Sequence, residues 1–197
     1  MQSKDQLEHY TFLNCLRVNR LDFYFEHIIS HLQENPKITK LELMYGLFSQ
    51  NGIEQLKQCR SVSSLTITGK IENADHLSQI ANNNNIVELD LNACNIGNEG
   101  MRCIVKSKTI QKLYVSNCSI SDDGVKEIAS NKKIVILHIS DNQISDKGAG
   151  YIIPNKSIKE IDISHNLIKS SEIIDKLKEG RRSVKSDNVG DYKPPRP

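Results

Sequence analysis

Cysteine is the residue type in this sequence whose chemistry most needs an explanation. Cys94 and Cys118 occupy matching places in two similar stretches, IVELDLNACNIGNEGMRCIV and IQKLYVSNCSISDDGVKEIA. Two thiols placed in this way could be reactive nucleophiles, a disulfide, half of a metal site or structural groups. The sequence contains no C-x-x-C motif, which disfavours zinc, so we predict no metal site.

A metal or acid–base site could also be built from His138, Asp162 and His165. Imidazole and carboxylate groups bind metals and transfer protons when the fold brings them together. The sequence, however, offers no oxyanion hole or activated nucleophile, and it lacks a phosphate-binding loop, a dinucleotide fingerprint and H-E-x-x-H. We therefore predict that the protein is not an enzyme, needs no cofactor and takes no small-molecule substrate.

The spacing between Cys94 and Cys118 belongs to a repeat that runs through most of the chain. Aliphatic residues open six blocks at a constant spacing of 24 residues. Each block begins with alternating apolar residues, which predicts a short strand, and then changes to the spacing of a helix. The opening residues are Ile38, Val62, Ile86, Ile110, Ile134 and Ile158.

This pattern resembles the leucine-rich repeat superfamily, whose consensus is L-x-x-L-x-L-x-x-N/C-x-L. The variety it is most similar to is the ribonuclease-inhibitor-like class, which has a helix in every repeat. The resemblance covers residues 13 to 180 and implies an α/β leucine-rich repeat solenoid. Such a solenoid is a curved right-handed superhelix, with parallel strands on the concave side and helices on the convex side.

The departures from the repeat divide the chain into three parts. Residues 1–37 are predicted to form an N-terminal cap and a degenerate repeat, with Leu16 and Val18 in its strand. Residues 38–181 hold the six regular repeats. Residues 182–197 are predicted to be a cap remnant followed by a basic, proline-containing tail, in which Val184 covers the last repeat. Caps of this kind close the hydrophobic column that an open solenoid would expose.

When the repeats are aligned with the leucine-rich repeat consensus that they resemble, Cys94 and Cys118 fall on the position of asparagine or cysteine. The chain leaves the strand there, and a small polar side chain satisfies buried backbone groups. Cysteine serves as a small apolar residue with a weak S–H donor. A disulfide between neighbouring strands is geometrically conceivable, but a cytosolic setting argues against it. The predicted structural ladder comprises Cys94, Cys118, Asn142 and Asn166.

A glycine recurs in the helical half of the repeat, at Gly52, Gly100, Gly124 and Gly148. We predict that the missing side chain lets each helix approach the strand layer closely. The last repeat carries Glu172 at this position, which is typical of a terminal repeat.

Side chains between the buried strand positions are predicted to face the concave side. Parallel strands would place these side chains next to one another and form a mixed acidic and aromatic surface. Such a surface suits a basic or polar segment of a protein partner, and tyrosine often anchors interfaces. The predicted partner-binding residues are Arg17, Glu42, Tyr45, Glu88, Asp90, Tyr114, His138, Asp141, Asp162 and His165.

Charge adds an alternative to this hypothesis. The formal net charge is only +2, so no global field favours nucleic acid or membranes. Basic residues are nevertheless in excess near the C-terminus. The alternative is therefore that the tail binds nucleic acid or an anionic membrane, while the solenoid acts as a scaffold; the few charges make this the weaker hypothesis.

The sequence predicts a non-catalytic protein–protein interaction module that binds through its concave face. The first residues do not resemble a signal peptide, and no apolar run reaches the length of a membrane helix. We therefore expect a cytoplasmic protein, or one delivered into a host cell without a classical signal. Abundant Ile, Asn and Lys are typical of AT-rich genomes, and they suggest a secreted effector of an intracellular bacterium that acts on a host protein.

Overall fold

The fold was examined in a computed structural model. It describes residues 11–12, 14–19, 25–44, 54, 56, 59–69, 71 and 74–187. Tyr45, Gly52 and the end of the predicted tail, residues 188–197, lie outside the described residues.

The strands form one continuous sheet in which strand order follows chain order. β1 pairs with β2 antiparallel, and every later pair is parallel. The strands are β1 (Thr11–Phe12), β2 (Cys15–Asn19), β3 (Lys40–Met44), β4 (Ser64–Thr68), β5 (Glu88–Asp90), β6 (Lys112–Tyr114), β7 (Ile136–His138), β8 (Glu160–Asp162) and β9 (Ser183–Lys185).

The register of this sheet reproduces the spacing of the repeat. From β3 to β8 each leucine or isoleucine of the central column pairs with its equivalent in the next repeat, as Leu41 does with Leu65. The ends of the sheet differ by one residue: Leu16 pairs with Leu41, and Ile161 pairs with Val184. The constant register brings equivalent side chains of successive repeats into rows across the sheet.

A helical segment follows most of the strands in the described chain. These segments are short because each repeat has to return to the sheet before the strand of the next repeat begins. They are α1 (Phe25–Glu34), α2 (Ala74–Ala81), α3 (Gly97–Ile104), α4 (Asp122–Val125) with a following 3₁₀ turn (Lys126–Ser130), α5 (Asp146–Ile152) and α6 (Ser171–Lys178).

The hydrophobic core lies between the sheet and the helices. It consists of stacked aliphatic side chains, among them the fully buried Leu89, Leu113 and Leu137 of the strands and Met101 and Ile152 of the helices. Neighbouring strands lie about 4.8 Å apart, whereas packed helices lie about 8–10 Å apart. The helix layer is therefore the longer one, and the exposed face of the sheet is concave. This arrangement is the predicted α/β solenoid.

The recurring glycines are needed for a different contact from the predicted approach of helix to strand layer. A Cβ at Gly148 would fall 2.8 Å from Ile144 Cγ2 and even closer to Asp122 Oδ1 of the preceding repeat, and a Cβ at Gly124 would fall 2.6 Å from Asn98 Oδ1. At Gly124 and Gly148 the glycine therefore makes room for a polar side chain of the preceding repeat, and at Gly100 it makes room for Leu77 of the preceding helix, rather than for the strand layer.

Asn98, Asp122 and Asp146 join the start of one helix to the start of the next. Asp122 accepts hydrogen bonds from the backbone N–H of Ser145 at 2.8 Å and from its hydroxyl at 2.7 Å. Asp146 accepts from the N–H groups of the loop before α6, and Asn98 Oδ1 accepts from the N–H of Ser121 at 2.9 Å. We call this row the helix-start ladder. None of the helices among the described residues is long and apolar enough to cross a membrane.

Candidate interaction face

The two cysteines that could have been reactive are buried and hydrogen-bonded to backbone. The Cys94 thiol donates to the carbonyl of Ile67 at 3.1 Å, and the Cys118 thiol donates to that of Leu91 at 3.1 Å. Burial raises the pKa of Cys94 to about 12, and burial also raises the pKa of Cys118. Both thiols are therefore protonated at neutral pH and are poor nucleophiles.

Asparagine at the same position makes more bonds than cysteine does. Asn142 Nδ2 donates to three carbonyls, those of Val115, Ile139 and Ser140, at 2.9–3.1 Å. Its Oδ1 accepts from the backbone N–H of Cys118 and of Ile120. Asn166 repeats the pattern one turn later, with Nδ2 donating to Ile139, Ile163 and Ser164 and Oδ1 accepting from Ile144. These side chains tie each turn to the preceding strand.

The concave face carries a row of eight side chains, one from each strand from β2 to β9. The register pairs them in consecutive positions across the sheet, so they lie side by side on neighbouring strands. In order, the row is Arg17, Glu42, Thr66, Asp90, Tyr114, His138, Asp162 and Lys185.

Ion pairs occupy both ends of this row. Glu42 pairs with Arg17 and, at 2.8 Å, with Lys40. Asp162 pairs with Lys185 at 2.9 Å and accepts from the Ser164 hydroxyl at 2.6 Å. Although burial raises the pKa of each carboxyl, these hydrogen bonds outweigh it and hold the pKa of Glu42 and of Asp162 below the usual range.

A second row of carboxylates, beside the first, is also paired. Glu88 accepts from Lys112 at 3.0 Å, and Glu160 accepts from Arg182 at 2.8 Å. Much of the acidic surface that the sequence predicts is thus neutralised from within the chain.

The middle of the face is different, because its polar groups are not paired with charges. Asp90 accepts a hydrogen bond from the N–H of Asn92 and has no cationic hydrogen-bond partner among the described residues. Burial raises the pKa of the Asp90 carboxyl above its usual value. Next to it, the rings of Tyr114 and His138 lie edge to face, with centroids 4.8 Å apart at 79°. We call Asp90, Tyr114 and His138 the central patch.

His138, Asp162 and His165, the three residues considered for metal binding, have separate partners. His138 packs on Tyr114, Asp162 binds Lys185, and His165 Nδ1 lies 3.6 Å from Asp187 Oδ1. Among the residues that the structure describes, no three His, Cys, Asp or Glu side chains are placed to hold a metal ion.

The remaining predicted residues lie at the rim or outside the described chain. Asp141 and His165 are exposed in the turns that follow β7 and β8, each with a positive φ, 54° and 55°. Tyr45 lies outside the described residues. Arg182, Lys185 and Asp187 also belong to the face and were not predicted, because their place in the sequence lies in the predicted cap remnant and tail. The available signal was their spacing from Glu160, Asp162 and His165, which is only slightly shorter than one full repeat.

The pKa values of Asp90 and Asp162, two aspartates of the row on the concave face, are expected to be shifted in opposite directions. In a carbon-detected NMR pH titration, Asp162 should titrate below the usual aspartate range and Asp90 above it. Replacing Lys185 with Met removes the bond that stabilises ionised Asp162, so its pKa should rise while that of Asp90 stays unchanged.

Linkage gives the sign of the effect on stability. Because the folded pKa of Asp162 is lowered, its contribution is complete above the unfolded pKa and is lost as pH falls through the folded pKa. The Lys185→Met variant should therefore lose less stability on acidification. An Asp162 pKa that does not move in this variant would contradict the ion pair.

The fold and the ladder define the class: a solenoid of strand–helix repeats whose turns are held by buried Asn and Cys side chains. The Leucine Rich repeat family model matches three consecutive segments, residues 82–105, 106–129 and 130–152. Residues 82–152 are thus leucine-rich repeats, and the described chain has the fold of a leucine-rich repeat solenoid. Its placement in the ribonuclease-inhibitor-like class stays a prediction.

Solved structures with a similar backbone include an internalin from Listeria monocytogenes and the plant peptide hormone receptor RGFR1 in complex with RGF2. The internalin is 14% identical with a TM-score of 0.46, and the match covers 78% of this chain and 50% of that one. The receptor is 16% identical with a TM-score of 0.42, and the match covers 77% and 28%. This chain thus spans half or less of each, and with these TM-scores neither likeness enters the argument on function. No curated protein matches the sequence.

Proposed function

We propose that this protein is a non-catalytic interaction module that binds a protein partner through the central patch of its concave face. The observation that carries the proposal is the contrast along one row of side chains. Both ends of the row are neutralised by ion pairs within the chain, whereas the middle presents a carboxylate and two rings. Leucine-rich repeat arrays use their extended concave surface for binding.

The central patch fits a partner segment that carries a basic side chain next to an apolar or aromatic one. Asp90 is half-buried and has no cationic hydrogen-bond partner among the described residues, and burial raises the pKa of its carboxyl. A cation from a partner would compensate it and lower that pKa. Tyr114 and His138 offer flat, amphipathic surfaces of the kind that anchor interfaces, and the half-buried Ile136 adds an apolar neighbour.

The chemistry of the described side chains supports binding rather than catalysis. The candidate thiol nucleophiles are held protonated, since burial raises the pKa of Cys94 to about 12 and that of Cys59 to about 11. The candidate histidines are engaged with Tyr114 and Asp187. A catalytic site needs a nucleophile next to a base, and nothing in the described part of the face provides this pair.

We further propose that the partner is a host protein and that the chain is a secreted effector of an intracellular bacterium. Composition motivates this proposal. The proposal requires delivery into a host cell without a classical signal, and a protein that stays in the cytoplasm of the producing cell would contradict it. Expression of the tagged protein in infected cells, followed by fractionation, distinguishes the two locations.

The alternative of a nucleic-acid- or membrane-binding tail is weakened by the ion pairs of its first residues. Arg182 binds Glu160 and Lys185 binds Asp162, so these charges are not available to phosphate. Because β9 also pairs with β8, removal of residues 182–197 would damage the sheet. Removal of residues 188–197 is the cleaner test: the alternative predicts loss of binding, and the concave-face proposal predicts none.

The proposal predicts that Tyr114→Ala weakens partner binding by about tenfold or more, the effect of removing an interface anchor. The partner is first recovered by affinity capture with the wild-type protein, and its affinity for each purified variant is then measured by calorimetry. Tyr151→Ala is the matched control, since Tyr151 is a half-buried tyrosine on α5, in the helix layer.

Equal loss in the two tyrosine variants would overturn the proposal, as would a loss confined to Tyr151→Ala. A Tyr114→Ala variant that binds as tightly as the wild type would also contradict it.

A further inference from the structure

A cavity of about 590 Å³ opens away from the concave face, where two successive helical segments return to the sheet. One wall comes from the last turn of α3 and the residues after it, and the other comes from the 3₁₀ turn Lys126–Ser130 and the loop that follows. Its volume lies in the range of ligand pockets, about 300–1,000 Å³. We call this cavity the basic pocket.

The charged side chains of the basic pocket are almost all positive. The whole chain has a net charge of only +2, so this is a local concentration of charge. The lining includes five basic residues and one acidic residue: Arg102, Lys106, Lys108, Lys132, Lys133 and Glu127.

Helix ends account for only part of this charge. Cations are favoured at helix C-termini by the helix dipole, and Lys132 donates to the carbonyl of Ala129 at 3.2 Å. Arg102 is paired with Glu99 at 2.5 Å. By contrast, Lys106, Lys108 and Lys133 are exposed and form no ion pair with any described residue. These three lysines hold like charges close together without compensation.

Lys106 and Lys133 have no lysine at the equivalent position of a neighbouring repeat. One repeat earlier, the positions equivalent to Lys106 and Lys108 are Asn82 and Asn84, and one repeat later the position equivalent to Lys133 is Ser157. At the position of Lys108, by contrast, the two following repeats also carry lysine, Lys132 and Lys156, so part of the positive surface continues along the solenoid. The polar lining residues nearest the core are satisfied internally: Asn131 donates to the Val105 carbonyl at 2.6 Å, and the Ser107 hydroxyl accepts from the Thr109 and Ile110 N–H groups.

We infer that the basic pocket is a second interaction site, which docks a short acidic segment of a protein partner through Lys106, Lys108 and Lys133. Charge complementarity selects an anionic ligand. A short segment with a few carboxylates fits the volume of the pocket. The lining described for the pocket also lacks an aromatic side chain on which a base could stack. This inference does not depend on the concave-face proposal.

The test uses the full chain and a fluorescent glutamate-rich peptide, with the glutamine counterpart as the neutral probe. The wild type should bind the glutamate peptide, with an affinity that falls as salt is raised. The triple variant K106E/K108E/K133E should bind it at least about tenfold more weakly, since three exposed charge pairs are lost and reversed. The matched control is K37E/K147E/K159E, which changes the net charge equally at exposed lysines outside the pocket. Circular dichroism checks that both variants are folded before their affinities are compared.

Retained peptide affinity in the control variant and in Tyr114→Ala supports the inference and separates it from the concave face. Equal binding of the two peptides by the wild type would overturn the inference, and so would equal loss of affinity in the two triple variants. It would also be overturned if the wild type bound a single-stranded oligonucleotide of the same charge more tightly than the glutamate peptide and the pocket variant abolished that binding.

Discussion

Replacing Asn142 with alanine is expected to lower the free energy of unfolding by about 3–5 kcal/mol, because several buried backbone groups lose their partner at once. Asn142 donates to three carbonyls and accepts from the N–H groups of Cys118 and Ile120. Alanine can replace none of these bonds, and the residue is buried, so water cannot enter easily. Urea unfolding followed by circular dichroism measures the change.

The control for this variant lies one repeat earlier in the same ladder. The Cys118 side chain donates through its weak S–H group to the carbonyls of Leu91 and Ser116. Cys118→Ala should therefore cost only about 1–2 kcal/mol. If the two substitutions cost the same, the asparagine bonds do not carry the turns of this solenoid.

Gly148→Ala is expected to destabilise the protein by about 1–3 kcal/mol, the usual cost of overpacking. The new methyl group would lie 2.8 Å from Ile144 Cγ2 and would overlap Asp122 Oδ1. Asp122 cannot move away freely, since it accepts two hydrogen bonds from Ser145. The same urea unfolding assay measures the effect.

Gly150 provides a matched control in the same helix. A Cβ at Gly150 has nothing within 4 Å, so Gly150→Ala should stabilise the protein by about 0.5–1 kcal/mol, the helix preference for alanine over glycine. If both substitutions destabilise the protein, the cost of alanine in α5 does not come from the contact with Asp122 in the helix-start ladder.

The repeat spacing predicted the sheet because a constant period allows only one register for the leucine column. Leu41, Leu65 and Leu89 are therefore aligned in the structure as the sequence indicates. The neighbouring positions of Tyr114 and His138 follow from the same period. Period alone also predicted where the turn residues Cys118 and Asn142 lie.

The charge pattern of the face could not be predicted in the same way. The pairing of Asp162 with Lys185 depends on β9, whose offset from β8 is one residue shorter than the repeat period. The sequence therefore placed Lys185 in a cap remnant and counted Asp162 as available to a partner. The helix-start ladder was missed for a similar reason, because Asp122 is also a favourable first-turn acidic residue, and the sequence cannot separate that role from a bond to Ser145.

Photo-crosslinking tests the central claim most directly. A benzophenone amino acid is placed at position 114 in one variant and at position 151 in another, and each is irradiated with the captured partner. Our account predicts a covalent adduct with the partner from position 114 and none from position 151. An adduct from position 151 alone would show that the helix layer binds the partner, and it would contradict binding through the concave face.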